Sequence, residues 1–230
     1  MARVLFIVSG ATYWVLKDGT RYATGYWAEE LANPYKILTD AGHEIVVATP
    51  NGVTPSVDMM SLRPEMVGGN DSALELEAVI RSAEVMRRPL RLSDVRLEDC
   101  DGVYLPGGHG PMSDLAWDSD AGRLLTQQLT SGNPLFIVCH APASMLATRI
   151  HGESPFKGFD ITCFTNEEEG VGLAPLAPWL LETDVQEKVG VNFSRGPIWE
   201  PYMVEDRNLV TGQNPASAAI LGNRMLEILK

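Results

Sequence analysis

Residues 135–146 read LFIVCHAPASML. Four consecutive apolar residues are what a strand shows when helices cover both of its faces. The small residues and helix formers that follow place Cys139 and His140 at a strand-to-helix seam. In parallel α/β sheets, ligands collect outside the carboxyl ends of the strands. A Cys-His pair at such an end is therefore a candidate for chemistry, and the fold reading rests on whether the pattern recurs.

It does recur. RVLFIVS (3–9), EIVVA (44–48) and GVYL (102–105) are short apolar runs of the same kind, and DITCF (160–164) is expected to continue the series. Helical spacing predicts helices over 27–40, 72–86, 121–129, 176–189 and 214–229, with Pro34 expected to bend or divide the first. MVEDRNLV (203–210) predicts a hairpin or a kinked strand, and the Pro- and Gly-rich stretch 49–69 predicts an irregular excursion at a pocket rim. Strands alternating with amphipathic helices imply a mostly parallel sheet with helices on both faces. At 230 residues the chain is long enough for a proper core and short enough for one α/β domain spanning 1–230.

Composition narrows the function. The net charge of −12 creates a field that repels phosphate backbones and anionic lipid, so neither nucleic acid nor a membrane surface is an expected partner. Three cysteines without a C-x-x-C pair fit a reducing compartment and argue against a disulfide framework or a zinc cluster. The apolar N-terminus reads as a first strand, and no segment approaches bilayer-spanning length, so a cytoplasmic protein is expected.

Four segments carry candidate chemistry. A thiol at the start of a helix lies near unpaired N–H groups and the positive end of the helix dipole, which predicts a depressed pKa and a nucleophilic Cys139. The geometry is that of a nucleophile elbow, although Ile137 and Ala141 replace the glycines of G-x-S-x-G. A free cysteine is often only a small core residue; the adjacent His140 and the Gly-rich turn GGHGPMSDL at another strand end weigh against that. The glycines of this turn can present N–H donors to developing negative charge, and the turn matches neither dinucleotide nor P-loop spacing. Of the paired acids Glu29 and Glu30, one is placed to face the pocket and carry protons. A carboxylate from the run Glu167, Glu168, Glu169 is the kind of group that would orient His140. His43, His151, Cys100 and Cys163 are assigned no chemistry.

LPGGHG, VCHAPA, TGYWAEELANPY and VTGQNPASA together resemble the ThiJ/PfpI superfamily, also called the DJ-one superfamily, over nearly the whole chain. Within it, the similarity is greatest to the glyoxalase III and stress-chaperone subgroup. The resemblance implies a flavodoxin-like, Rossmann-like three-layer sandwich. It implies Cys139 as nucleophile, Glu30 as helper acid, and an oxyanion site at the N–H groups of Gly108 and His140. By position it implies Glu169 as the partner of His140, with Glu168 the alternative. The superfamily is related to class I glutamine amidotransferases, but no histidine follows His151, so glutamine hydrolysis is rejected. The implied activity is a glutathione-independent glyoxalase acting on methylglyoxal or a similar 2-oxoaldehyde, without metal or organic cofactor, in a homodimer. The alternatives are a stress-response holdase or redox sensor, and a Cys-His-Glu amide or ester hydrolase.

Overall fold

The structure is a computed structural model and describes residues 1–229. Eleven strands occur in chain order: β1 Arg3–Ile7, β2 Tyr13–Val15, β3 Arg21–Ala23, β4 Glu44–Thr49, β5 Leu90–Arg91, β6 Gly102–Leu105, β7 Leu135–Val138, β8 Asp160–Ile161, β9 Asn192–Phe193, β10 Met203–Asp206 and β11 Leu209–Gly212. The helices are α1 Ala28–Asp40, α2 Asn70–Ser82, α3 Gly110–Ser113, α4 Ser119–Ser131, α5 Asn166–Gly170, α6 Leu181–Asp184 and α7 Ala218–Ile228.

Seven strands form the central sheet in the order β10-β11-β7-β6-β1-β4-β5. All pairs are parallel except β10 with β11. The register sets Leu5 beside Val46 on one side and Val103 on the other, and Phe136 between Tyr104 and Val210. Every residue of β6, β7 and β11 is buried, as expected for strands covered on both faces. α1 packs against α7 and α2, while α4 packs against residues 141–148, which gives the two outer layers of an α/β sandwich. This is the mostly parallel, flavodoxin-like arrangement expected from the alternating pattern.

Several elements differ from the sequence reading. DITCF does not join the central sheet: β8 pairs only with β9, in a separate two-stranded ribbon. Its backbone turns instead toward β7, where Phe164 N donates to Cys139 O at 2.9 Å. The β2–β3 hairpin and β5 lack a long apolar run and were not legible. Predicted helix 176–189 is one turn of α-helix over Leu181–Asp184 continued by a π turn over Val185–Val189. The 203–210 region is an antiparallel hairpin.

Pro34 does not divide α1, which runs unbroken from Ala28 to Asp40. A proline at this position has no N–H to donate to the carbonyl four residues earlier, at Glu30. Tyr104 Oη on β6 donates to that carbonyl instead. The exchange ties the first turn of α1 to the sheet.

Candidate active site

The site is built on the carboxyl ends of β6 and β7. Cys139 follows β7 with φ 59°, in the left-handed region that non-glycine residues rarely occupy. Such a conformation persists only where surroundings over-determine it. Here Cys139 N donates to Gly212 O at 2.9 Å and Cys139 O accepts from Phe164 N, so both flanks of the elbow are pinned. The turn after β6 closes over it. A Cβ on Gly107 would lie 2.7 Å from His140 N and 2.9 Å from Cys139 Cβ, so only glycine fits there. Gly108 has φ 86°, and a Cβ there would meet Gly25 O at 2.5 Å.

Glu30 enters from α1 and is completely buried. Its Oε2 accepts from Gly107 N at 2.7 Å. Its Oε1 is buried and has no hydrogen-bond partner among the described residues. Burial pushes the Glu30 carboxyl up to about 8, with the Cys139 and Gly107 hydrogen bonds only partly opposing it. At neutral pH the group is therefore mainly protonated.

His140 Nδ1 lies 3.2 Å from Cys139 Sγ, and His140 Nε2 lies 2.7 Å from Glu169 Oε2. Burial would raise Glu169, but the hydrogen bonds from His109 and His140 outweigh it and hold this carboxylate well below its usual range. An ionised Glu169 accepts the proton on His140 Nε2, which leaves Nδ1 as a lone-pair acceptor facing the thiol. Burial, and then the neighbouring His109, lower the His140 pKa, so the imidazole is neutral.

The expected depression of the Cys139 pKa is not found. Burial and then the charge of Glu30 push the thiol well above its ordinary value, and only the Gly108 N–H acts against them. The sequence argument assumed an α-helix dipole, whereas residues Ala141–Thr148 form a 3-10 segment. Pro142 in its first turn also removes one of the N–H donors that would have faced the sulfur. The thiol and the Glu30 carboxyl act as a coupled pair that holds its protons at neutral pH.

The three successive glutamates have three fates. Glu167 points outward and pairs with Arg195. Glu168 closes a capping box with Thr165 and accepts from Trp199 N, Gln213 Nε2 and Asn214 Nδ2, which makes it a hub of buried hydrogen bonds. Glu169 alone bonds His140. Glu29 accepts from Trp27 Nε1 at 3.3 Å and takes no part in the cluster.

Sequence reasoning missed His109, although it stands inside the quoted GGHG turn. Its Nε2 lies 3.0 Å from Glu169 Oε1, and its ring stacks on Trp14 and sits 4.1 Å from the His140 ring, centroid to centroid. Glu169 thus bridges two imidazoles. His109, His140 and Glu169 present three ligand-type atoms within 4.8 Å of one another. That donor set suits a divalent transition ion, but the hydrogen bonds inside the cluster already use these atoms.

Cys139, His140, His109, Gly108 and Glu169 are among the residues lining a 230 Å³ cavity. Cys139 is 2% exposed, so the sulfur is reached only through that cavity. Met60 and Met66, from the 49–69 excursion expected at a pocket rim, contribute to it, as does Tyr22.

Residues 22–228 match the model of the DJ-1/PfpI family. The chain belongs to this family. It is 29% identical over 238 residues to the protein/nucleic acid deglycase HchA of Pseudomonas aeruginosa strain UCBPP-PA14, covering 96% of this chain and 78% of that protein. Staphylococcus aureus strain Newman HchA is 27% identical over 244 residues, with 99% and 81% covered. Among solved structures, glyoxalase III from Candida albicans superposes with TM-score 0.80 at 26% identity, covering 100% of this chain and 98% of that one. The Rapid Encystment Protein of 24 kDa from Francisella tularensis gives TM-score 0.84 at 25% identity, with full coverage of both chains. Among the described residues no helix is long and apolar enough to cross a membrane.

Proposed function

We propose that this DJ-1/PfpI-family protein is a cysteine-dependent, glutathione-independent glyoxalase that converts 2-oxoaldehydes to 2-hydroxy acids. One observation carries the reading: His140 Nδ1 lies 3.2 Å from the Cys139 sulfur, and the same thiol interacts with Glu30, whose carboxyl burial pushes up to about 8. That pairing matches a reaction that must both deliver and remove protons near neutrality.

His140 Nδ1 takes the thiol proton as Sγ bonds to the aldehyde carbon, and Glu30 protonates the former carbonyl oxygen to give a hemithioacetal. While negative charge develops there, the N–H groups of Gly108 and His140 would donate to it. Glu30, now a carboxylate, removes the proton on the same carbon. The electron pair forms a carbon–carbon double bond, and the His140 imidazolium protonates the ketone oxygen, giving an enediol. Glu30 returns its proton to the second carbon while His140 takes the one on the first oxygen, which leaves a thioester. Water attacks that carbonyl with Glu30 as base, and the sulfur leaves with the proton from His140. The sum is aldehyde plus water to hydroxy acid, with the protein regenerated. Glu169 keeps the His140 proton on Nε2 during capture, and none of these steps draws on a metal or organic cofactor.

The names of the HchA relatives support a second reading on the same residues, in which the aldehyde is released from an adduct on a protein or nucleic acid. A nucleophile on a residue that is 2% exposed, at a cavity, favours the free aldehyde, and the charge of −12 disfavours nucleic acid. Incubation with methylglyoxal in the absence of glutathione is expected to yield lactate with wild type and none with Cys139→Ala. Absence of lactate from wild type, or turnover by Cys139→Ala, refutes the proposal.

A further inference from the structure

We propose that the preferred substrate is a 2-oxoaldehyde carrying a bulky apolar or aromatic group rather than methylglyoxal; this rests on the glyoxalase reading above. Besides Cys139, His140, His109 and Glu169, the cavity is lined by Tyr22, Trp27, Met60, Phe164, Leu173 and Trp199. A water molecule takes up about 30 Å³ in the liquid, and methylglyoxal only a few times that. A 230 Å³ cavity is therefore far larger than the methyl compound fills. The unfilled part is walled by aromatic and thioether side chains, which reward apolar area and offer little to a second polar group.

These walls are held in place. Trp199 is a bulky residue at φ 62°, where such residues are outliers. Its backbone N–H is anchored 2.9 Å from Glu168 Oε1, and its ring meets Phe164 edge-on at 5.5 Å between centroids. Phe164 in turn lies 4.3 Å from the His140 ring. Tyr22 Oη donates to Met60 Sδ at 3.2 Å, so the hydroxyl is turned to a neighbour rather than left as a free polar contact. An aromatic substrate group would sit between Trp199 and the Tyr22–Met60 pair, with its aldehyde carbon toward Cys139.

The test compares kcat/KM for phenylglyoxal and methylglyoxal on wild type and on Trp199→Ala, whose side chain is 44% exposed and not part of the core. Wild type is expected to favour phenylglyoxal by roughly tenfold or more, and Trp199→Ala to reduce that ratio by at least about threefold. Because the ratio is compared between variants, the intrinsic reactivities of the two aldehydes cancel. A wild-type preference for methylglyoxal, or a ratio unmoved in Trp199→Ala, overturns this inference and leaves the glyoxalase reading standing. Turnover of neither aldehyde overturns both.

Discussion

Replacing Glu30 with Gln keeps the side-chain size and an oxygen for the Gly107 N–H but removes the ionisation. In the unfolded chain this carboxyl titrates near 4.5; in the folded protein burial moves it to about 8. Between those pH values the folded state holds a proton that the unfolded state has released, so wild-type stability falls as pH rises through the window. Each pH unit is worth about 1.4 kcal/mol. By about pH 7 the wild type has lost roughly 3 kcal/mol relative to pH 4.5, and by about pH 8 roughly 4 to 5 kcal/mol, as an order of magnitude. Glu30→Gln has no such loss. The depressed His140 works in the opposite direction up to about its ordinary 6.5, but it is present in both proteins and cancels in the difference. Urea unfolding followed by tryptophan fluorescence, at steps from about pH 5 to pH 9, measures the gap. The variant's advantage should grow with pH by several kcal/mol. A gap that changes by less than about 1 kcal/mol between pH 5 and pH 8 refutes a buried, protonated Glu30. The same variant should lose about 10²- to 10⁴-fold in kcat, while mass spectrometry still detects the aldehyde adduct on Cys139.

Three further outcomes are expected. Because Cys139 has φ 59°, Cys139→Gly should be more stable than Cys139→Ala by about 1 kcal/mol in urea unfolding; equal stabilities would mean the elbow is not strained. Gly108→Ala combines φ 86° with a Cβ 2.5 Å from Gly25 O, and should cost at least about 2 kcal/mol, read as a lowered thermal midpoint. His109 lowers the His140 pKa, so His109→Asn should move the His140 imidazole titration to higher pH in NMR; an unchanged or lower midpoint would remove His109 from the electrostatics of the cluster.

The layered fold was legible in the sequence because it depends on contiguous apolar runs and their alternation with helical spacing. LFIV, GVYL, EIVVA and RVLFIVS are all central strands for that reason. Short or non-apolar elements were not legible. β5 has two residues, and DITCF, which has the composition of a strand, pairs with β9 in a separate ribbon, a partner distant in the chain. His109 was overlooked because its partners, Glu169 and the Trp14 ring, lie 60 and 95 positions away along the chain.

By itself the sequence determined which residue types stand at the strand ends: a cysteine and histidine after β7, a glycine turn after β6, and acids in the first turn of α1. Tertiary structure decided their protonation. Burial in a low-dielectric core disfavours every charge, and the outcome depends on which neighbours compensate. Two imidazoles keep Glu169 ionised, one N–H leaves Glu30 protonated at neutral pH, and the sulfur beside Glu30 retains its proton until a substrate arrives. A local dipole argument pointed the other way for Cys139, because desolvation is a property of the packed interior and has no signature in residue order.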